Sequence, residues 1–225
     1  MDPRRVDYTG EGISESDLLD TPYAQIRLWV DEAVTRADAQ DDVPEPYALS
    51  VATADAQGRP NVRTVLMRFL DERGPGFVTA TTSTKGREIG ETGYLAAALT
   101  WPAMFRSIRF RGRAVPVDAD ELQGYWASRP WASRISAWAS QQSQPTDSRA
   151  DLEAAFEERA AQFPDTGSDD DVPVPDFWGG YRVLPDEVEL WGGRRNRLHD
   201  RIVYTRVGEG DLGDAGSWEV SRRQP

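Results

Sequence analysis

Cysteine is absent from the 225-residue chain, and histidine and lysine occur once each, as His199 and Lys85. Without thiols there is no disulfide, no iron–sulfur cluster, no cysteine nucleophile and no thiolate zinc site, and a lone imidazole cannot build a histidine-rich metal centre, so no metal is expected. Long apolar runs are missing too: none could span a bilayer, and Met1 to Leu19 lacks a signal-peptide core, so no membrane association is expected and the cytoplasm is the default location. Positive charge is in deficit, with 26 basic against 38 acidic residues and a net charge of −12, which argues against general nucleic-acid binding. All but one of the basic residues are arginine. That excess either reflects coding bias or equips the chain to grip anions with bidentate forks. What survives these exclusions is chemistry done by oxygen and guanidinium groups, or by a borrowed cofactor.

The length suits a single domain with a proper core. Residues 1–20 are polar and offer too little apolar surface to fold alone, and read as a flexible arm; residues 21–225 read as one domain. Thr21 can cap a helix with Pro22 in its first turn, and Ile26, Trp29, Val30, Ala33 and Val34 recur at helical spacing up to Pro44. Strand patterns follow at Tyr47–Ala54, Asn61–Leu70 and Gly76–Ala80, then a short helix Thr84–Thr92, then strands Tyr94–Trp101 and Phe105–Val117. Helices are predicted at Asp118–Ser128, Trp131–Ser140 and Ser148–Phe163, and a loop at 164–176. Strands return at Gly180–Leu184, Val188–Trp191, Arg201–Val207 and Trp218–Arg222. Antiparallel strands on both sides of a helical block indicate an α+β domain built round a barrel, and a sandwich explains the periodicities nearly as well.

Four clusters can carry chemistry. In Arg63-Thr64-Val65-Leu66-Met67-Arg68, strict strand alternation sends the two arginines to opposite faces, where each either reaches out at a strand end or meets an anion. Thr79 to Arg87 runs a hydroxyl-rich strand end into a helix start beside Lys85, which suits phosphate and equally suits a plain cap. Tyr125, Arg129 and Ser133 flank Pro130 and can converge on one oxyanion, while Trp126 and Trp131 serve packing. Arg197, His199 and Arg201 would share one face of a strand and would repel one another without an anion. A Ser-His-Asp triad through His199 and Asp200 is disfavoured, since strand neighbours point apart.

Together, and in this order, Arg63 to Arg68, Ser83-Thr-Lys85-Gly, Tyr125-Trp-Ala-Ser-Arg129-Pro, Ala137-Trp-Ala-Ser-Gln-Gln142-Ser143, Phe177-Trp-Gly-Gly-Tyr-Arg182 and Arg197-Leu-His199-Asp-Arg201 resemble the pyridoxine/pyridoxamine 5′-phosphate oxidase family. The resemblance covers about four-fifths of the chain, from Glu45 onward. It implies a mostly antiparallel split β-barrel with flanking helices, forming a homodimer with FMN at the interface. By matching positions it implies FMN contacts from Arg63, Thr64, Val65, Leu66, Met67, Arg68, Val78, Thr79, Thr84, Lys85, Ser107, Gln142, Ser143, Trp191 and Arg201. It further implies that Arg68, Tyr125, Arg129 and Ser133 meet the substrate phosphate, and that the catalytic pair Arg197 and His199 flanks the substrate's pyridine ring. The implied reaction oxidises pyridoxamine or pyridoxine 5′-phosphate to pyridoxal 5′-phosphate, with O2 as acceptor and H2O2 as product.

Three positions depart from the family pattern. Arg68 stands where a lysine is usual, Ser107 where a glutamine is usual, and Thr84 where a basic or amide residue precedes Lys85. They motivate two alternatives: a related FMN oxidase acting on another small aromatic molecule of phenazine type, or a split-barrel protein that holds flavin or pyridoxal phosphate without turnover.

Overall fold

The structure, a computed structural model, describes residues 7–225. Helix α1 (Pro22–Ala39) starts on the Thr21 side chain, which accepts from Ala24 N–H, and Pro22 occupies the first turn, where its missing N–H has no partner to lose. The predicted stripe is real: Ile26, Trp29, Val30 and Ala33 are buried. Among the described residues, nine strands form one antiparallel sheet: β1 (Ala48–Ala54), β2 (Pro60–Leu66), β3 (Phe69–Asp71), β4 (Gly74–Ala80), β5 (Tyr94–Trp101), β6 (Arg106–Pro116), β7 (Trp178–Gly192), β8 (Asp200–Arg206) and β9 (Trp218–Arg222). Helix α2 (Thr84–Thr92) joins β4 to β5, and α3 (Ala119–Ala127), α4 (Trp131–Ala139) and α5 (Arg149–Gln162) lie between β6 and β7. The strand order is β2-β1-β5-β6-β7-β4-β3, with β8 and then β9 branching from β7.

That branch makes the barrel split. On one side β7 pairs with β6 along its length; on the other it pairs first with β4, through Trp178–Arg182, and then with β8, through Glu187–Gly192. Pro185 stands between the two stretches, opposite Gly112, where the β6 register shifts. A Cβ on Gly112 would lie 2.1 Å from Leu184 O, so the bulge requires glycine. The expectation of two strands, Gly180–Leu184 and Val188–Trp191, is therefore corrected to one continuous strand running through Pro185. A proline is tolerated because the strand is changing partners there.

A second correction runs the other way. Asn61–Leu70 is two strands, because the chain leaves β1 for β4 at Met67 and Arg68, whose N–H groups donate to Tyr47 O (2.9 Å) and Gly76 O (2.8 Å). Alternation across that break does not relate Arg63 to Arg68. Nor do Arg197, His199 and Arg201 share a strand face: Arg195–Arg197 is a 3-10 turn with Arg197 at φ 62°, and β8 begins only at Asp200.

One face of the sheet carries Leu49, Val51, Leu99, Ile108, Phe110, Val188, Leu190 and Ile202, all fully buried against α1. The sheet curls around this core into an antiparallel half-barrel flanked by helices, an α+β fold. Trp126, Ile135, Val172 and Trp178 form a smaller core that holds α3 to α5 against the barrel, pinned by a buried Arg134–Asp171 ion pair at 3.2 Å. Of the expected flexible arm, residues 1–6 lie outside the described residues. Residues 7–20 lie along the barrel: Ile13 is buried and donates to Asp200 Oδ2 at 3.0 Å, while Arg222 bridges Glu15 and Asp200.

Candidate cofactor and substrate site

The end of β4 and the start of α2 meet where Ser83 caps the helix, accepting from Gly86 N–H. Just inside, the Lys85 ammonium is 6% exposed and donates to Gln142 Oε1 (2.8 Å), Thr79 Oγ1 (3.2 Å) and Ser83 Oγ (3.4 Å). Thr79 donates to the same Gln142 oxygen at 2.6 Å. Lys85 thus has three neutral partners and, among the described residues, no ion pair. Burial, aided by the nearby Arg63 charge and opposed by Glu88, pulls its pKa down from 10.5 to about 8. Arg63 is itself neutralised: its guanidinium pairs with Glu88 at 3.1 Å and donates to Thr53 Oγ1, and Glu88 also accepts from Thr53 and Asn61. Thr64 is exposed, Val65, Leu66, Val78 and Thr84 are half-buried, and Met67 is buried. Ser143, after Gln142, adopts φ 74°. A buried ammonium without a counter-ion at a helix start fits the phosphate of a phosphorylated cofactor.

A second group faces the helical block. Arg129 stacks over Trp126 and Trp178, with Cζ 5.3 and 5.4 Å from the ring centroids, and Tyr125 lies parallel to Trp178 at 6.2 Å and edge-on to Phe69 at 5.7 Å. Ser133 enters through its main-chain oxygen, which accepts from Arg129 Nη2 at 2.8 Å. Burial lowers the Arg129 pKa; the Arg68 and Arg134 charges push the same way and Tyr125 opposes. Arg129, half-buried on its tryptophan wall, and Arg68, which is exposed, form no ion pair among the described residues.

The third group lies at the far end of β7. Thr100, Ser107, Trp191 and Arg201 are register neighbours on β5, β6, β7 and β8. Arg201 grips Glu189 through Nε (3.2 Å) and Nη2 (2.7 Å), so it does not lack an anion, contrary to the expectation from charge spacing. His199 sits between Tyr8 and Trp191, with centroids 4.9 and 4.8 Å away, and its Nδ1 accepts from Arg194 N–H at 3.0 Å. Arg197 is exposed. No hydrogen bond or ion pair among the described residues joins this group to Lys85.

Sequence reasoning gave Glu88 and Tyr8 no place in any cluster, and gave Glu189 and Trp178, which stand in the motifs Glu189-Leu190-Trp191-Gly192-Gly193 and Phe177-Trp178, no role of their own. Glu88 stands three positions after Lys85 on one helix face, and Glu189 two before Trp191 on one strand face, so spacing held a signal for both. Trp178 and Tyr8 reach the site through long-range packing that no local pattern announces.

The split sheet places the chain among split β-barrel proteins. The fold alone is shared with a pyridoxamine 5′-phosphate oxidase-related, FMN binding protein of Nostoc punctiforme, at 20% identity and a TM-score of 0.66 over 88% of this chain and 97% of that one. The model described as pyridoxamine 5′-phosphate oxidase matches residues 36–163, and the one described as pyridoxine 5′-phosphate oxidase C-terminal dimerisation region matches residues 178–225. The chain belongs to the pyridoxine/pyridoxamine 5′-phosphate oxidase family. Relatives of that name from Burkholderia multivorans and Kineococcus radiotolerans are 43% and 44% identical, over 98% and 99% of this chain and 97% of each relative. The crystal structure of PhzG from Burkholderia lata, in complex with tetrahydrophenazine-1-carboxylic acid, is 30% identical with a TM-score of 0.80, over 96% of this chain and 100% of that one.

Proposed function

We propose that the protein is an FMN-dependent oxidase of pyridoxamine or pyridoxine 5′-phosphate, working as a homodimer with FMN at the interface. The observation that carries the substrate assignment is Arg129, a half-buried guanidinium without an ion pair among the described residues, stacked on Trp126 and Trp178, and Arg68 would join it on the phosphate. A phosphate monoester supplies the missing charge, and the aromatic wall excludes water from the contact. Lys85, Thr79, Gln142 and Arg63 would hold the cofactor phosphate, and Trp191 and Arg201 its ring system. Held there, FMN would supply the acceptor for a hydride equivalent from the substrate's C4′ carbon, with O2 as the final acceptor and H2O2 as the product. Oxidation of the alcohol gives the aldehyde; oxidation of the amine gives an imine that water hydrolyses with loss of ammonia. The chain's own task is to position and polarise. Because His199 Nδ1 accepts from a main-chain N–H, the neutral ring carries its proton on Nε2 and presents a donor there. Arg197, exposed two positions before it, would add a positive charge at the ring.

The test is a visible spectrum of the purified protein and oxygen uptake on adding either B6 phosphate. A yellow protein inert toward both would sink the substrate assignment while leaving the flavin. A second reading has its own support: the PhzG likeness, together with a Ser107 hydroxyl tied back to Leu99 O (2.9 Å) and Thr100 Oγ1 (3.1 Å), favours a larger aromatic substrate of phenazine type. A substrate panel containing reduced phenazine carboxylates separates the two.

A further inference from the structure

An open cavity of about 350 Å³ lies on the outer face of the sheet, lined by Ala98, Thr100, Ser107, Arg109, Glu189 and Trp191. Its floor is made of small side chains, and the Ser107 hydroxyl is already committed to Leu99 O and Thr100 Oγ1. Its charged wall is ordered. Glu189, 7% exposed, accepts from Arg109 Nη2 (2.9 Å) on one side and from Arg201 Nη2 (2.7 Å) on the other. Glu187 accepts from the same Arg109 nitrogen at 2.8 Å and is tied to Arg223 at 2.6 Å. Arg109 therefore spends one nitrogen on two carboxylates, and its Nε and Nη1 have no acceptor among the described residues. The guanidinium is planar and cannot turn without breaking both ion pairs, so its free edge has a fixed direction.

We infer that Arg109, held by Glu189 and Glu187, is a donor to the carbonyl-bearing edge of a planar heterocycle lodged in this cavity, and that the heterocycle is the flavin ring. The inference rests on the FMN reading above and adds to it a residue outside the implied cofactor set. The cavity's charged groups are unevenly committed: Glu189 accepts from two arginines, whereas Arg109 Nε and Nη1 and the Trp191 indole N–H have no acceptor among the described residues. A ring edge with carbonyl acceptors matches that imbalance. A cation fixed there stabilises negative charge on the ring, so it favours the reduced form over the oxidised one.

The experiment uses the full-length protein and two probes, FMN and phosphate-free riboflavin, with Arg109→Met, Arg109→Lys and Glu189→Gln. Affinity is read by flavin fluorescence, and the midpoint potential by dye-coupled reduction. Loss of a charge-assisted hydrogen bond should weaken both flavins by the same factor, about tenfold or more in Arg109→Met. The potential of bound FMN should fall in Arg109→Met, Arg109→Lys should recover part of it, and Glu189→Gln, which removes a negative charge beside the ring while keeping an acceptor for Arg109, should raise it. Sedimentation of each variant reports whether assembly persists. If the parent protein binds FMN and Arg109→Met changes neither potential nor riboflavin affinity, this role for Arg109 is overturned while the FMN reading stands. If the parent binds no flavin, both fall.

Discussion

Lys85 Nζ donates to Gln142 Oε1 at 2.8 Å across 57 positions of sequence, tying the start of α2 to the segment that follows α4. The contact is a placeholder arrangement: a cation buried among neutral oxygens is worth more to the protein when an anion arrives. Lys85→Ala should accordingly loosen FMN by about 10- to 100-fold, the value of a charge-assisted hydrogen bond, while turnover at saturating FMN changes little. Equilibrium titration with FMN checks this, and undiminished retention would remove Lys85 from the phosphate site.

The same ammonium predicts a pH dependence. Its pKa is lowered to about 8 in the ligand-free fold against 10.5 ordinarily, so between those values the unfolded chain holds a proton that the folded chain has lost. Stability of the ligand-free protein should therefore rise with pH across that window, and below pH 8 the Lys85 penalty is constant. A phosphate favours the protonated amine, so FMN affinity should fall as pH climbs past about 8. Isothermal titrations at several pH values should show proton uptake on binding, absent in Lys85→Ala.

Arg197 is exposed and makes no ion pair among the described residues, so the fold does not depend on it. Arg197→Ala should leave FMN retention near that of the parent and cut turnover by about 10²-fold, as expected for removal of a charge that acts on the reacting ring. A variant that instead lost its flavin and kept its rate when resupplied would reverse the division of roles between Arg197 and Lys85.

Two glycines give opposite signs. At Gly112 an added methyl meets Leu184 O at 2.1 Å and Pro185 Cα at 2.7 Å, whereas at Gly90, on the exposed side of α2, it meets nothing within 4 Å. Gly112→Ala should destabilise by about 1–3 kcal/mol or more; Gly90→Ala should stabilise by about 0.5–1 kcal/mol. Urea melts of the two variants provide the comparison.

How legible these features were depends on the range of the contacts that make them. The α1 stripe and its Thr21-Pro22 start are local, and were read correctly. The strands were found, but Met67-Arg68 and Pro185 were misjudged in opposite directions. Propensity sees a break at proline and continuity through an apolar run, whereas the deciding fact is which neighbour each backbone group pairs with. The arginine clusters were visible as charge in strands. Their carboxylate partners, Glu88 for Arg63 and Glu189 for Arg201, lie on α2 and β7, and spacing along a segment shows that a carboxylate is there but not which arginine it meets.

Strand β7 also acts as a ruler. Its first residues pair with β4 beside Thr79, and its last carry Trp191 and Gly192, some 13 residues on, or roughly 40 Å of extended chain. The proposed interfacial FMN would draw its two sets of residues from different subunits, the Lys85 set from one and the Trp191–Arg201 set from the other. The arithmetic is that of shared ownership. A mixture of Lys85→Ala and Arg201→Ala subunits, each unable to bind flavin tightly alone, should assemble mixed dimers holding one intact site and one doubly damaged site. Flavin counted per such dimer should approach one, not zero and not two.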